Sequence, residues 1–149
     1  MKLTPFTDLL SGMVETNAGH EVDLPADWLQ GRTAYGGLTA SLCLESALRQ
    51  TPDLPPLRSA QFALVGPAGG LVQLAPEVVR RGKSSVVVSV NLDGEAGPAA
   101  RALLTFGASR ESQIDYSAMP SPVVPAPEDC PSFFNPETAP AFARHFDVC

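Results

Sequence analysis

The sequence predicts an α+β domain in which an antiparallel β-sheet wraps one long α-helix. Three observations predict it. The run GLTASLCLESALRQ at 37–50 repeats its apolar residues at helical spacing and carries them on two sides. Four later segments alternate apolar and polar residues with the period of two expected of strands. Their connections are short and contain glycine, which suits hairpins; a parallel sheet would need a crossover helix between strands, and none fits.

A chain of 149 residues, 44% apolar and 17% charged, is long enough to bury a core without disulfides or metals. Its net charge of -6 argues against a nucleic-acid surface, which needs clustered Lys and Arg. A small anionic ligand stays open to it, because a local basic cluster can hold one. No stretch reaches the ~18 apolar residues of a membrane span, and the first residues lack a signal-peptide layout. Cys43, Cys130 and Cys149 stand at no metal-ligand spacing. Cys43 falls within the apolar helix, where a free thiol behaves as a small hydrophobe. A reducing cytoplasm is the expected compartment, with no metal and no cofactor.

Taken in order, residues 6–13 read as a short helix and 20–24 as a strand. The helix at 37–50 stops at Thr51-Pro52, since the residue before proline disfavours helical backbone. Its broad apolar arc holds Ala40, Cys43, Leu44, Ala47 and Leu48; Leu38 and Leu42 form a narrower strip, so both sides are expected to be covered. Segment 58–66 places Ala60, Phe62 and Leu64 on one face. Segment 71–81 aligns Val72, Leu74 and Val78. Segment 85–93 sets Val86, Val88, Val90 and Leu92 against Val87, Ser89 and Asn91. Segment 99–107 aligns Ala100, Ala102, Leu104 and Phe106. These elements make residues 1–118 one domain. From Met119 to Pro140 seven prolines break all periodicity, so 119–149 reads as a linker and tail. Such a tail leads to a further unit or packs on a partner.

The stretch GRTAYGGLTAS at 31–41 opens the long helix on Gly36-Gly37, with no Ser, Asp or Asn just before it to cap the exposed amides. A helix start carries unpartnered N–H groups and a positive partial charge. Without side chains there, a ligand's carbonyl oxygen can approach those groups, and the amides of Gly37 and Leu38 are the candidate donors. The same glycines also suit close packing of the helix start on the sheet. Glu45 is the only acid on the helix and the candidate general base, though its spacing to Arg49 equally suits a surface ion pair. Gln61 could orient water or a ligand amide from its strand, or simply face solvent. Arg80, Arg81 and Lys83 flank Gly82 in a tight turn and could hold phosphates, or form a solvated tip. GKS at 82–84 is not a Walker loop, because Glu77 stands where the first glycine belongs. His20 and His145 sit in no triad-like context, and Ser84 and Ser85 lack a nucleophile-elbow pattern.

One core helix followed by four antiparallel strands is the order of a hotdog domain. In wording the sequence resembles the N-terminal half of double-hotdog, acyl-CoA thioesterase II-like thioesterases. The resemblance is carried by Trp28 with Gly31-Arg32, by Ala34-Tyr35-Gly36-Gly37, by RSAQFALVGPAG at 58–69, by RRGKSSVVVSVNL at 80–92 and by ALLTFG at 102–107. It implies hydrolysis of an acyl-CoA thioester by activated water, without metal or covalent nucleophile. With such a substrate, Tyr35, Gly36, Gln61, Arg80, Arg81 and Lys83 are the candidate substrate-binding residues. In that family the Asp, Thr or Ser and Gln credited with activating water lie in the second hotdog, whose start FARHFDV at 142–148 resembles. Single-hotdog thioesterases often carry an acid seven residues after the second glycine, a position that is Leu44 here, with Glu45 next to it. The resemblance therefore implies either an acyl-CoA hydrolase, expected to form a homodimer, or a non-catalytic half that binds acyl-CoA or serves dimerisation.

Overall fold

The computed structural model describes residues 2–135 and 137–148; the expectation for Cys149 lies outside them. Helix α1 (Phe6–Ser11) leads into β1 (Val14–Thr16) and β2 (Gly19–Leu24). A 3-10 turn at Ala26–Trp28 and a small ribbon of β3 (Leu29–Gln30) with β4 (Thr33–Ala34) then deliver the chain to α2 (Gly36–Gln50). Four strands follow: β5 (Leu57–Leu64), β6 (Gly70–Arg81), β7 (Ser85–Gly94) and β8 (Gly97–Gly107). Six strands form one sheet in the order β1-β2-β6-β7-β8-β5, and every pairing is antiparallel.

The alternation read from the sequence decides which face packs. Val86, Val88, Val90 and Leu92 on β7, with Ala100, Ala102, Leu104 and Phe106 on β8, are all buried, and Val72 and Leu74 of β6 join them. Against that face α2 lays Leu38, Leu42, Cys43 and Ala47, together with Thr39 and Ser46. Both strips read from the sequence contribute to the buried side, Leu38 and Leu42 from the narrower one and Cys43 and Ala47 from the broader one. Ala40 and Leu44 are only half-covered, and Leu48 is 43% exposed. Two small polar residues, Thr39 and Ser46, fit the crowded sheet side, where apolar content alone does not place them.

The connection after β5 is not a hairpin. β5 pairs with β8, whereas β6 pairs with β2 and β7. Residues 65–69 instead run across the sheet end: the amides of Val65 and Gly66 donate to the Ala99 carbonyl, and Ala34 N–H donates to Ala68 O. Gly66 is needed there, since a Cβ would lie 2.4 Å from the Pro98 carbonyl oxygen. Residues 141–146 do not trail away either. A 3-10 turn at Ala141–His145 folds back on the same chain and buries Phe142 and Ala143.

Candidate functional site

The Gly36-Gly37 start of α2 is uncapped, as its sequence predicts: Tyr35 occupies the N-cap position and makes no side-chain cap. Its carbonyl accepts from Leu38 N–H at 3.0 Å and from Thr39 N–H at 3.2 Å. The Leu38 amide is thus occupied and is not an open donor, because the last turn before a helix closes on the nearest carbonyl. The amides of Gly36 and Gly37 have no acceptor among the described residues.

Beside Gly37 lies a cavity of about 400 Å³, lined by Phe6, Trp28, Tyr35, Leu38, Ser41 and residues of the tail. Gly37 makes room for the Tyr35 ring, whose Cε1 would stand 2.4 Å from a Cβ at that position. That ring stacks on Phe142 with centroids 4.7 Å apart and planes 4° from parallel. Phe146 meets Tyr35 edge-on at 5.3 Å. Behind them Trp28 donates its indole N–H to Thr4 O at 3.0 Å and stacks on the His145 imidazole at 3.8 Å. Gly36 opens on the other side, onto a smaller cavity of about 230 Å³ that includes Thr33, Thr39 and Leu64.

His145 does have a carboxylate beside it, contrary to the sequence reading. Its Nε2 lies 3.1 Å from Oδ2 of Asp27, with both side chains buried. The contact is not aligned as a hydrogen bond, so Nε2 is a buried polar atom without a partner among the described residues. Asp27 is held by the N–H of Thr4 at 2.5 Å and by the Thr4 hydroxyl. Burial pushes its carboxyl up, but the hydrogen bonds from the Thr4 amide, its own amide and the Thr4 hydroxyl, with His145 nearby, outweigh that. The net effect keeps Asp27 below the usual carboxylate range. No local motif links residues 27 and 145; only the folded-back tail brings them together.

The other sequence candidates fall elsewhere. Glu45 binds Arg49 Nε at 2.8 Å, and Arg49 also donates to the carbonyls of Met13 and Leu10. The i, i+4 pair is therefore realised, and Glu45 stands outside the cavity wall. Gln61 pairs across from Leu103 on the sheet face away from α2, so it does not share the cavity with Gly37. Arg80, Arg81 and Lys83 are exposed at the β6–β7 turn and make no ion pair among the described residues. Val86 beside that turn pairs with Phe106, which pairs with Leu57 at the start of β5. Gly36 instead adjoins Leu64, at the other end of β5. Eight residues of strand, about 23 Å, therefore separate the basic turn from the helix start within one copy. Cys43 is fully buried, and burial pushes its thiol up to about 12, so it is no nucleophile. Among the described residues no group of three or more His, Cys, Asp or Glu is placed to hold a metal, and no helix is long and apolar enough to cross a membrane.

A helix cradled by an antiparallel sheet, with its open glycine start facing a cavity, defines a hotdog domain. The chain belongs to the acyl-CoA thioesterase N-terminal domain family, whose model matches residues 24–107. No curated protein matches it in sequence. Among solved structures it is similar to a hotdog-fold protein of unknown function from Alicyclobacillus acidocaldarius, with 21% identity and a TM-score of 0.81 over 95% of this chain and 53% of that one. An acyl-CoA thioesterase II from Mycobacterium marinum aligns at 18% identity and TM-score 0.65, covering 84% of this chain and 47% of that one. A Bacillus halodurans protein solved with CoA aligns at 20% identity and TM-score 0.53, over 60% of this chain and 66% of that one. The chain spans about half the length of the first two structures.

Proposed function

We propose that this chain hydrolyses acyl-CoA thioesters with water as nucleophile. The observation that carries the reading is the Gly37 amide, which has no acceptor among the described residues and faces a cavity walled by aromatic rings. As water adds to a thioester, its carbonyl oxygen gains negative charge. A fixed N–H aimed there is worth roughly 2.7–4 kcal/mol of barrier. The aromatic walls suit the acyl group, and membership of the thioesterase family supports the chemistry. Tyr35 and Gly36 border the thioester end of the site, while Arg80, Arg81 and Lys83 are the residues for the phosphates of CoA. The reading needs no cofactor and places the protein in the reducing cytoplasm.

The distance between those two groups favours a homodimer. β5 is a sheet edge with every residue exposed, and Phe62 and Leu64 are uncovered on its inner face. Antiparallel pairing of β5 with the β5 of a second copy would set the Leu57 end of one beside the Leu64 end of the other. The basic turn of one copy then comes next to the Gly36-Gly37 start of its partner, and two composite sites result. A second hotdog unit, which the double-hotdog resemblance implies beyond residues 119–149, would use the same edge.

Thiol release from a panel of short to long acyl-CoAs tests the reading. Turnover is expected in the wild type. Gly37→Ala, which drives a methyl into the Tyr35 ring and the mouth of the cavity, is expected to lower kcat/KM on the order of 100-fold or more. Binding of CoA thioesters without turnover would leave the domain as a binding module; neither binding nor turnover would remove both ligand claims.

A further inference from the structure

We propose that His145 is the general base of this hydrolysis, with Asp27 as its positioning carboxylate; the assignment rests on the thioesterase reading above. The imidazole lines the same cavity as Gly37 and its side chain is 7% exposed. It is fixed in plane by Trp28, 8° from parallel, and it stands 3.1 Å from a carboxylate. Nε2 faces Asp27 at that distance without an aligned hydrogen bond, so what it lacks is the closing of this one contact. Catalytic hydrogen bonds are often poorly aligned in ligand-free structures and tighten in the complex. Asp27 is held by Thr4 independently of the tail, so the anion is in place before the imidazole gains a proton. The indole face adds a further attraction for the resulting cation. Glu45, the acid raised by the sequence, is engaged by Arg49.

Water oxygen bonds to the thioester carbon while the imidazole takes one water proton. With Nε2 facing Asp27, Nδ1 is the accepting nitrogen. The carbonyl electron pair moves onto oxygen, held by the Gly37 N–H. Collapse restores the carbonyl and breaks the C–S bond, and the imidazolium returns its proton to the departing thiolate. The products are a carboxylic acid and CoA thiol.

The test uses the full chain with the best acyl-CoA of the panel and its non-hydrolysable thioether analogue. His145→Gln is expected to lower kcat about 10²–10⁴-fold while analogue affinity, measured by calorimetry, stays within about threefold. The wild-type kcat should rise with pH through one ionisation that His145→Gln lacks. Asp27 faces that imidazole, Tyr35 lines the same cavity, Arg144 and Asp147 flank it in sequence, and Asp27→Asn should lower kcat while analogue affinity holds. His145→Phe keeps a ring against Trp28, so it separates stacking from proton transfer and should be as inactive as His145→Gln. The assignment is overturned if His145→Gln keeps kcat within fivefold, if it keeps the wild-type pH profile, or if His145→Phe restores activity. Loss of analogue binding in both variants would make His145 a packing residue and overturn it too. Absence of turnover in the wild type would instead sink the hydrolase reading itself.

Discussion

His20 shows how a titratable side chain is accommodated in this core. Its Nδ1 lies 2.9 Å from the Ser46 hydroxyl of α2, and both residues are buried. Burial, and then the Arg49 charge, lower its pKa from 6.5, with Glu15 and Glu45 opposing. A lowered imidazole pKa means that on acidification the unfolded chain takes up the proton first. The stability owed to this residue is intact above about pH 6.5 and is lost progressively as pH falls below that value. Melting temperatures from pH 7.5 to 5 should fall on the acid side, and His20→Gln should flatten that part of the curve. At this scale the sequence was readable only where partners are close along the chain. The Glu45–Arg49 spacing announced its ion pair. The Asp27–His145 contact did not announce itself, because nothing local ties a residue before the ribbon to one in the tail.

Elements were more legible than residues, since periodicity is a property of several positions together. The strand at 85–93 and the one at 99–107 appear with their faces as read. For α2 the extent was right and the buried side was right in part: Leu38, Leu42, Cys43 and Ala47 lie inward as read, Thr39 and Ser46 join them, and Leu48 lies outward. Truncation measures the difference. Leu42→Ala, at a fully buried position, should cost about 2–5 kcal/mol in denaturant unfolding. Leu48→Ala should stay within about 1 kcal/mol. β5 makes a separate claim: its alternation is correct, yet every residue of it is exposed, and only Leu64 meets the start of α2. If that edge joins two copies, light scattering should give twice the chain mass. Phe62→Lys should then weaken association on the order of tenfold, which is about 1.4 kcal/mol, without lowering the melting temperature by more than a few degrees. A wild type that stays monomeric would remove the composite site.

For the molecule as a whole, the sequence conveyed the class of fold and much less of its wiring. Alternation says which side chains share a face; it does not say which strands are neighbours. The run Pro67-Ala68-Gly69-Gly70 has the composition of a hairpin, yet it carries the chain from the β8 edge across to β6. The proline-rich stretch likewise hid the return of residues 141–146, whose aromatic rings find partners only once Trp28 and Tyr35 are in place.

That wiring bears on how the polypeptide is made. β5 leaves the ribosome well before its sole pairing strand in the sheet, β8, has been synthesised. Until then a segment holding Leu57, Phe62, Leu64 and Val65 waits with both backbone edges open. Such an interval invites capture by chaperones or pairing between nascent chains, so the order of translation itself leaves this strand the last to be enrolled.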